Sequence, residues 1–436
     1  MEGEAMVGEL SSFRDCGIYS LPEGSGAVFV DPVLVLSKSY ARHRLRRSSY
    51  YARSFQTSQG GARGGAAAEE QVGDTSGASG KRKRKKKGKP RDMNERERAA
   101  ELRHQEARPF LVKAHECFLH AAELLSVLPT VTRDDGSSQV ETEAPPRNFI
   151  ELGSVWQASH WEISLCLPPQ GKLSGLREKE STQSCSNLCA VRTVMPLFDN
   201  PVANETDDDL DAEFLNSRYI LPSKSCLHMS DLRRIHDLIP AHSDYGFNLI
   251  VIDPPWENAS AYQKSLYPTL PSRYFLYIPV RQLAHTQGAL VALWVTNREK
   301  LRIFVEKELF PAWGVTDVSV FYWLKVKDDG SLIGDLDLFH HRPYECLVLG
   351  YINSKEICSG CDVSYTLPQS NQVIISIPSA YSRKPPLGKL LSEYVPGPRP
   401  GKFVELFARE LQSGWTCWGN EPLCFQDARY FVKVRQ

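Results

Sequence analysis

The residues best suited to chemistry stand at Asp253-Pro254-Pro255-Trp256, directly after the apolar run 247–252 (FNLIVI). If that run is a strand, the acid ends it, at the edge of a sheet. Two consecutive prolines fix the backbone and remove two N–H donors while their carbonyls can still accept. The Asp253 carboxylate and the Pro254 carbonyl are then two acceptors held close together, and an exocyclic amino group offers two matching donors. Trp256 adds a flat apolar face on which a nucleobase stacks. An aromatic amine is a poor nucleophile because its lone pair is delocalised into the ring. Two acceptors on its hydrogens position it and favour a more pyramidal nitrogen, with negative charge where positive charge develops. Asp253 or water then takes the proton. Asp253 and Trp256 are expected to face a cleft, so that replacing either costs turnover and little stability.

A second group lies in 403–421 (FVELFARELQSGWTCWGNE). One strand is expected to end near Phe407-Ala408-Arg409 and the next at Gly419-Asn420-Glu421. An acid ending the second strand of such a unit accepts from ribose hydroxyls in doubly wound nucleotide-binding folds, although no G-x-G-x-x-G is present. A third group is Ser382-Arg383-Lys384-Pro385-Pro386, where Pro-Pro would fix a lysine. Tyr262, Lys264 and Tyr267 mark 257–272 as a substrate-gating loop, and His341 is expected to border the substrate cleft. Cys358-X-X-Cys361 and the Cys185/Cys189 pair could together supply four thiolates, but from either side of the catalytic core; no metal is expected.

The elements that must position these groups begin near residue 216. Apolar runs at 247–253, 288–296, 318–326, 345–352, 372–378, 403–408 and 414–420 alternate with helical segments, among them 298–310. This is the pattern of an α/β, doubly wound, Rossmann-like domain with a mainly parallel sheet covered on both faces and ligands at the carboxyl ends of its strands. Residues 1–93 are expected to be largely disordered. Within them 81–91 (KRKRKKKGKPR) reads as a nuclear localisation signal or phosphate-binding arm, and the Arg- and Tyr-rich stretch 40–55 as a grip on nucleic acid. Residues 94–215 are expected to form a small helical and mixed middle domain. Its helix over 94–128 would be kinked or restarted at Pro109.

Formal net charge is zero, so overall charge selects no partner. The 11 cysteines form no regular framework, and no apolar run approaches the eighteen residues of a membrane span. A reducing intracellular setting without membrane insertion is expected.

The order DPPW, LWVTN, RPYECLVLG, SRKPP and ELFAR…GWTCWGNE is similar to the adenine-N6 methyltransferase family named after the MT-A-seventy subunit. Within it the chain most resembles the methyltransferase-like protein four subgroup, over about 216–436. The resemblance implies a permuted methyltransferase fold, the DPPW strand preceding the cofactor strand, and S-adenosyl-L-methionine as cofactor. It implies a catalytic Asp253, Pro254, Pro255 and Trp256, with Asp253, Pro254 and Trp256 facing an adenine. Ile252, Asp253, Leu406, Phe407 and Arg409 would line the cofactor cleft, Lys384 would hold the methionine carboxylate, and Asn420 and Glu421 the ribose. It also implies an RNA substrate, with 2′-O-methyladenosine of small nuclear RNA the expected target and DNA the alternative. The chain would act as a monomer, in the nucleus first and the cytoplasm second. A non-catalytic nucleic-acid-binding subunit is the contrasting reading, which the intact DPPW, Lys384 and Asn420-Glu421 oppose. One departure stands out: Ser225-Cys226-Leu227 lacks the acid that some relatives place near the cofactor adenine.

Overall fold

The computed structural model describes residues 10–51, 93–134, 145–155, 157–167, 191–257, 269–339, 341–352 and 366–434. Among these, eleven strands form one sheet. In chain order they are β1 (Ile18–Ser20), β2 (Ala27–Val30), β3 (Pro201–Ala203), β4 (Cys226–Met229), β5 (Leu249–Ile252), β6 (Ala289–Val295), β7 (Thr316–Lys325), β8 (Tyr344–Ile352), β9 (Val373–Ser376), β10 (Phe403–Leu406) and β11 (Trp415–Gly419). Their spatial order is β1-β2-β9-β7-β8-β6-β5-β10-β11-β4-β3. Only β8 and the edge strands β1 and β3 run against their neighbours.

Strand β5 is wholly apolar because both of its faces are covered. Ile250 and Ile252 pack with Val291, Leu293, Leu301 and Val305, beneath the helical segment Glu299–Trp313. Leu249 and Val251 face the opposite core with Trp294, Leu391 and Tyr394. On one flank β5 pairs in parallel with β6, which follows it in sequence; on the other it pairs with β10, some 150 residues later, at Ile252↔Leu406. From the adjacent strands β5 and β10 the chain leads on in opposite directions, to β6 and to β11, which opens a crevice at the strands' carboxyl ends.

The structure corrects the reading of residues before 216. Residues 10–51 are not a loose tether: β2 extends the main sheet, parallel to β9. Pro32 opens the helix Pro32–Ser37, and Asp31 caps it by accepting from Val33 N (3.0 Å) and Leu34 N (3.2 Å). Tyr40, Tyr50 and Tyr51 are buried, and Arg42 and Arg47 engage Asp209 and Asp31, so the described part of 40–55 belongs to the core. Helix α1 (Glu95–His120) runs unbroken through Pro109 and stops at Ala121, before helix α2 (Ala122–Val131). Leu111, Ala114 and Phe118 of α1 share a core with Phe29 of β2 and Ile375 of β9, so α1 covers the main sheet instead of founding a separate domain. The proposed boundary at 215/216 falls inside an antiparallel hairpin, Leu210–Phe214 against Ser217–Leu221. The partners of β2 and α1 are distant in sequence, and local periodicity carries no record of them.

Candidate active site

Asp253 follows β5 directly, as its place at the end of an apolar run requires. Pro254 and Pro255 cannot pair onward and turn the chain across the crevice. Their carbonyls are both engaged: Pro254 O accepts from Trp256 N (2.7 Å) and Pro255 O from Leu270 N (2.9 Å). Each oxygen keeps a second lone pair, so the acceptor role survives in reduced form. Trp256 lines the crevice but is 5% exposed. Its Nε1 donates to Trp294 O (2.8 Å), and its ring meets Phe275 edge-on at 4.9 Å. It therefore belongs to the core as well as the cleft, contrary to the expectation that its loss costs little stability.

Lys384 Nζ lies 3.2 Å from Asp253 Oδ1 and 3.5 Å from Glu345 Oε2, and Lys325 Nζ lies 2.5 Å from Glu345 Oε1. The result is a ladder of alternating charge, Lys325–Glu345–Lys384–Asp253. Burial pushes the Glu345 carboxyl up, but Lys325 and Lys384 outweigh it and hold it at about 2. Burial likewise pulls the Lys384 ammonium down, and Asp253 and Glu345 reverse this, so Lys384 stays protonated. The backbone delivers Lys384 through left-handed turns at Tyr381 (φ 59°) and Ser382 (φ 55°). Arg383 points the other way, 4.2 Å from the Tyr50 ring and 4.3 Å from the Phe425 ring, and is paired with Glu410. That buried anchor fixes the residue next to Lys384.

The other wall comes from β10 and β11. A Cβ on Gly419 would stand 3.0 Å from Phe407 Cα and 3.2 Å from Ala408 N, so glycine is needed for the two strand ends to approach. Phe407 itself adopts φ 63°. Arg409 NH1 donates to Tyr381 O (2.8 Å), tying this wall to the lysine loop. Burial pushes the Glu421 carboxyl up, against the pull of Arg409.

A cavity of about 740 Å³ joins these groups, within the usual size of a small-molecule site. Asp253, Pro254, Pro255, Trp256, Lys384, Phe407, Arg409, Asn420 and Glu421 all line it. Ile252 and Leu406 are buried strand ends that support the wall without lining it. His341 is exposed, with φ 61°, and is not part of the lining. Tyr262, Lys264 and Tyr267, the two cysteine pairs and the basic run 81–91 lie outside the described residues.

Sequence reasoning missed Glu345, Trp294, Tyr274, Tyr277 and Asp231, all of which line the cavity. Glu345 and Trp294 stand inside the RPYECLVLG and LWVTN runs, where an acid heading a buried strand was the available signal. Asp231 follows β4 and supplies an acid just after the stretch Ser225–Leu227 that lacks one; its contacts with Arg233 hold its carboxyl below the usual range. The cavity offers acceptors for hydroxyls in Asn420 and Glu421 and a protonated lysine for a carboxylate near Asp253. These suit a nucleoside joined to an amino acid, as in S-adenosyl-L-methionine.

A mostly parallel sheet with its crevice between β5 and β10 and an acid ending β5 defines a Rossmann-like α/β domain with its ligand site at the strands' carboxyl ends. Residues 247–421 match the MT-A70 family. It is similar to the human (Homo sapiens) N(6)-adenine-specific methyltransferase METTL4, 37% identical over 246 residues, covering 56% of this chain and 51% of that protein. It is also similar to the N6-methyladenosine RNA methyltransferase MTA1 of Pyricularia oryzae (31% over 225 residues; 49% and 57%). A third relative is the DNA N6-methyl methyltransferase of Caenorhabditis elegans (34% over 223 residues; 50% and 56%). The chain spans about half the length of these relatives.

Proposed function

We propose that this chain is an S-adenosyl-L-methionine-dependent methyltransferase acting on the N6 amine of adenine in nucleic acid. The observation that carries the reading is the Asp253–Lys384 pair in a cavity that Asn420 and Glu421 also line. When bound, the cofactor supplies an electrophilic methyl on a sulfonium. Lys384 would hold its carboxylate, and Asn420 and Glu421 its ribose hydroxyls. Asp253 would accept one N6 hydrogen, the remaining lone pair of Pro254 O the other, and Trp256 would wall the base. Catalysis is then positioning plus negative charge at the nitrogen, and the proton leaves to Asp253 or water.

The preferred substrate in this reading is RNA, specifically 2′-O-methyladenosine of small nuclear RNA, with the chain working as a monomer. An unpaired adenine avoids the few kcal/mol needed to extract N6 from a duplex stack. A relative named as an RNA methyltransferase supports this choice, and one named as a DNA methyltransferase keeps DNA as the second reading. Mass spectrometry of nucleosides after incubation with RNA, with and without 2′-O-methylation, and with single-stranded and duplex DNA decides between them. Faster methylation of duplex DNA than of any RNA form would overturn the RNA preference; an absence of N6-methyladenine throughout would overturn the function. The run 81–91 is proposed as a nuclear localisation signal, and imaging of a tagged chain lacking it tests that role.

A further inference from the structure

Two exposed tyrosines sit at the mouth of the catalytic cavity. Residues Ser272–Tyr277 form a 3₁₀ helix, in which side chains three apart eclipse one another. Tyr274 and Tyr277 therefore project on one side, and both line the cavity while remaining 49% and 70% exposed. Phe275 points the other way and is fully buried. It meets Trp256 edge-on at 4.9 Å and Phe407 at 5.7 Å, and its carbonyl accepts from Trp313 Nε1 at 3.2 Å. The segment is thus pinned through Phe275 to the catalytic tryptophan and the cofactor-side wall, while its tyrosine rings face solvent. Arg273, with its side chain 76% exposed, adds a cation beside them and contacts Glu308 at 3.2 Å.

We infer that Tyr274 and Tyr277 form a stacking platform for the unpaired bases that flank the target nucleotide in a single strand. The inference rests on the proposed function and extends it to the substrate's form. Tyrosine presents a large, rigid π-face at low conformational cost, and every base has a π-face to match it. A platform continuous with the cavity that takes the target base meets the neighbouring bases of the same strand, and Arg273 meets their phosphates. A duplex keeps those flanking faces inside its own stack. The arrangement therefore selects single-stranded substrate without reading its sequence.

The test uses the full chain with S-adenosylhomocysteine and a labelled single-stranded oligoribonucleotide carrying one central adenosine. Tyr274→Ala/Tyr277→Ala is expected to weaken oligonucleotide binding and raise its KM by roughly ten- to a hundredfold, from the loss of base–aromatic stacking. Affinity for S-adenosyl-L-methionine is expected to hold, because neither ring is assigned to the cofactor. The Tyr→Phe pair, which retains the π-faces, is expected to restore binding. An active wild type whose double alanine variant shows unaltered affinity and KM overturns this inference alone. A wild type that transfers no methyl group to any adenine substrate overturns the proposed function and this inference with it.

Discussion

Lys384 Nζ stands 3.2 Å from Asp253 Oδ1, so the lysine proposed for the cofactor also holds the acid proposed for catalysis. Glu345 and Lys325 continue the pairing inward, and Lys384 is kept protonated by the two acids at its sides. In the proposed function, cofactor binding and placement of the acid are therefore coupled through one ammonium group.

Asp253→Asn keeps the shape of the side chain and removes its negative charge. Lys384 retains Glu345 as a partner, so the fold is expected to hold. Turnover is expected to fall by about 10²–10³-fold or more, the usual loss when one preorganised electrostatic group is removed. Initial rates with labelled methyl donor, beside a thermal melt, check both halves. Near-normal turnover would remove Asp253 from the chemistry.

Lys384→Met and Glu421→Gln each change one lining group of the cavity. The first removes a charge partner for a carboxylate, the second a charged acceptor for ribose hydroxyls. Charge-assisted hydrogen bonds contribute about 1.5–3 kcal/mol, so each is expected to weaken S-adenosyl-L-methionine binding by about ten- to a hundredfold. Lys384→Met should also lower turnover at saturating cofactor, because Asp253 loses its partner. Glu421→Gln should not. Titration calorimetry paired with saturation kinetics separates the two, and unchanged affinity in both variants would leave this wall without a cofactor role.

The placement of the candidate site was legible because its signals are local. A buried strand ending in an acid, followed by Pro-Pro and an aromatic, declares its place in the sheet and at the crevice. Gly419 and Glu421 carry the same kind of signal at the end of β11. What stayed hidden depends on distant pairing. Nothing near Ala27–Val30 says that it will extend a sheet beside residues 373–375. Nothing near Tyr50 says that its ring will cover Arg383. Glu345 looked like one acid in an apolar run until the fold set Lys325 and Lys384 around it.

Trp256 is where the sequence reading and the structure part most sharply on energetics. Its burial, its hydrogen bond to Trp294 O and its contact with Phe275 make Trp256→Ala expected to destabilise the protein by about 3–5 kcal/mol, besides ending turnover. Trp256→Phe fills most of the space and loses the hydrogen bond, so it is expected to cost less. Denaturant melts of the two variants rank them, and an unshifted midpoint in Trp256→Ala would show that the ring contributes nothing to the core.

Glu405, within β10, has its carboxyl pushed up to about 8 by burial, reinforced by the negative charges of Glu410 and Asp253. It is mostly protonated at neutral pH, with Gln412 Nε2 donating to Oε2 at 3.2 Å. The folded state holds this proton more tightly than the unfolded chain does, whose carboxyl titrates near 4.5. The associated stability is full below about 4.5 and is lost as pH rises through about 8. The melting temperature is therefore expected to fall between pH 6 and pH 9. Glu405→Gln, neutral throughout, should flatten that slope and melt higher than wild type at pH 9. Parallel slopes for the two proteins would show that Glu405 is ionised in the fold.

The amino-terminal residues should prove inseparable from the catalytic site. β2 pairs with β9 in parallel, Tyr51 bridges to Ser379, and the Tyr50 ring lies 4.2 Å from the Arg383 guanidinium, one residue before Lys384. A chain beginning at residue 52 would uncover the β9 edge and the apolar surface that Phe29, Val30, Tyr50 and Tyr51 now bury. It is expected to aggregate or to melt well below the full chain. Tyr50→Ala is the finer probe, because it keeps β2 in place and removes only one of the two rings over Arg383. It is expected to cost about 3–5 kcal/mol, as for other large buried aromatics. It should also weaken S-adenosyl-L-methionine binding, since a loosened Arg383 frees the loop that presents Lys384. Tyr50→Phe, which keeps the face over the guanidinium, should restore most of both. A chain of 52–436 that folds, melts and binds the cofactor like the full protein would show that the methyltransferase core is complete without its first strands.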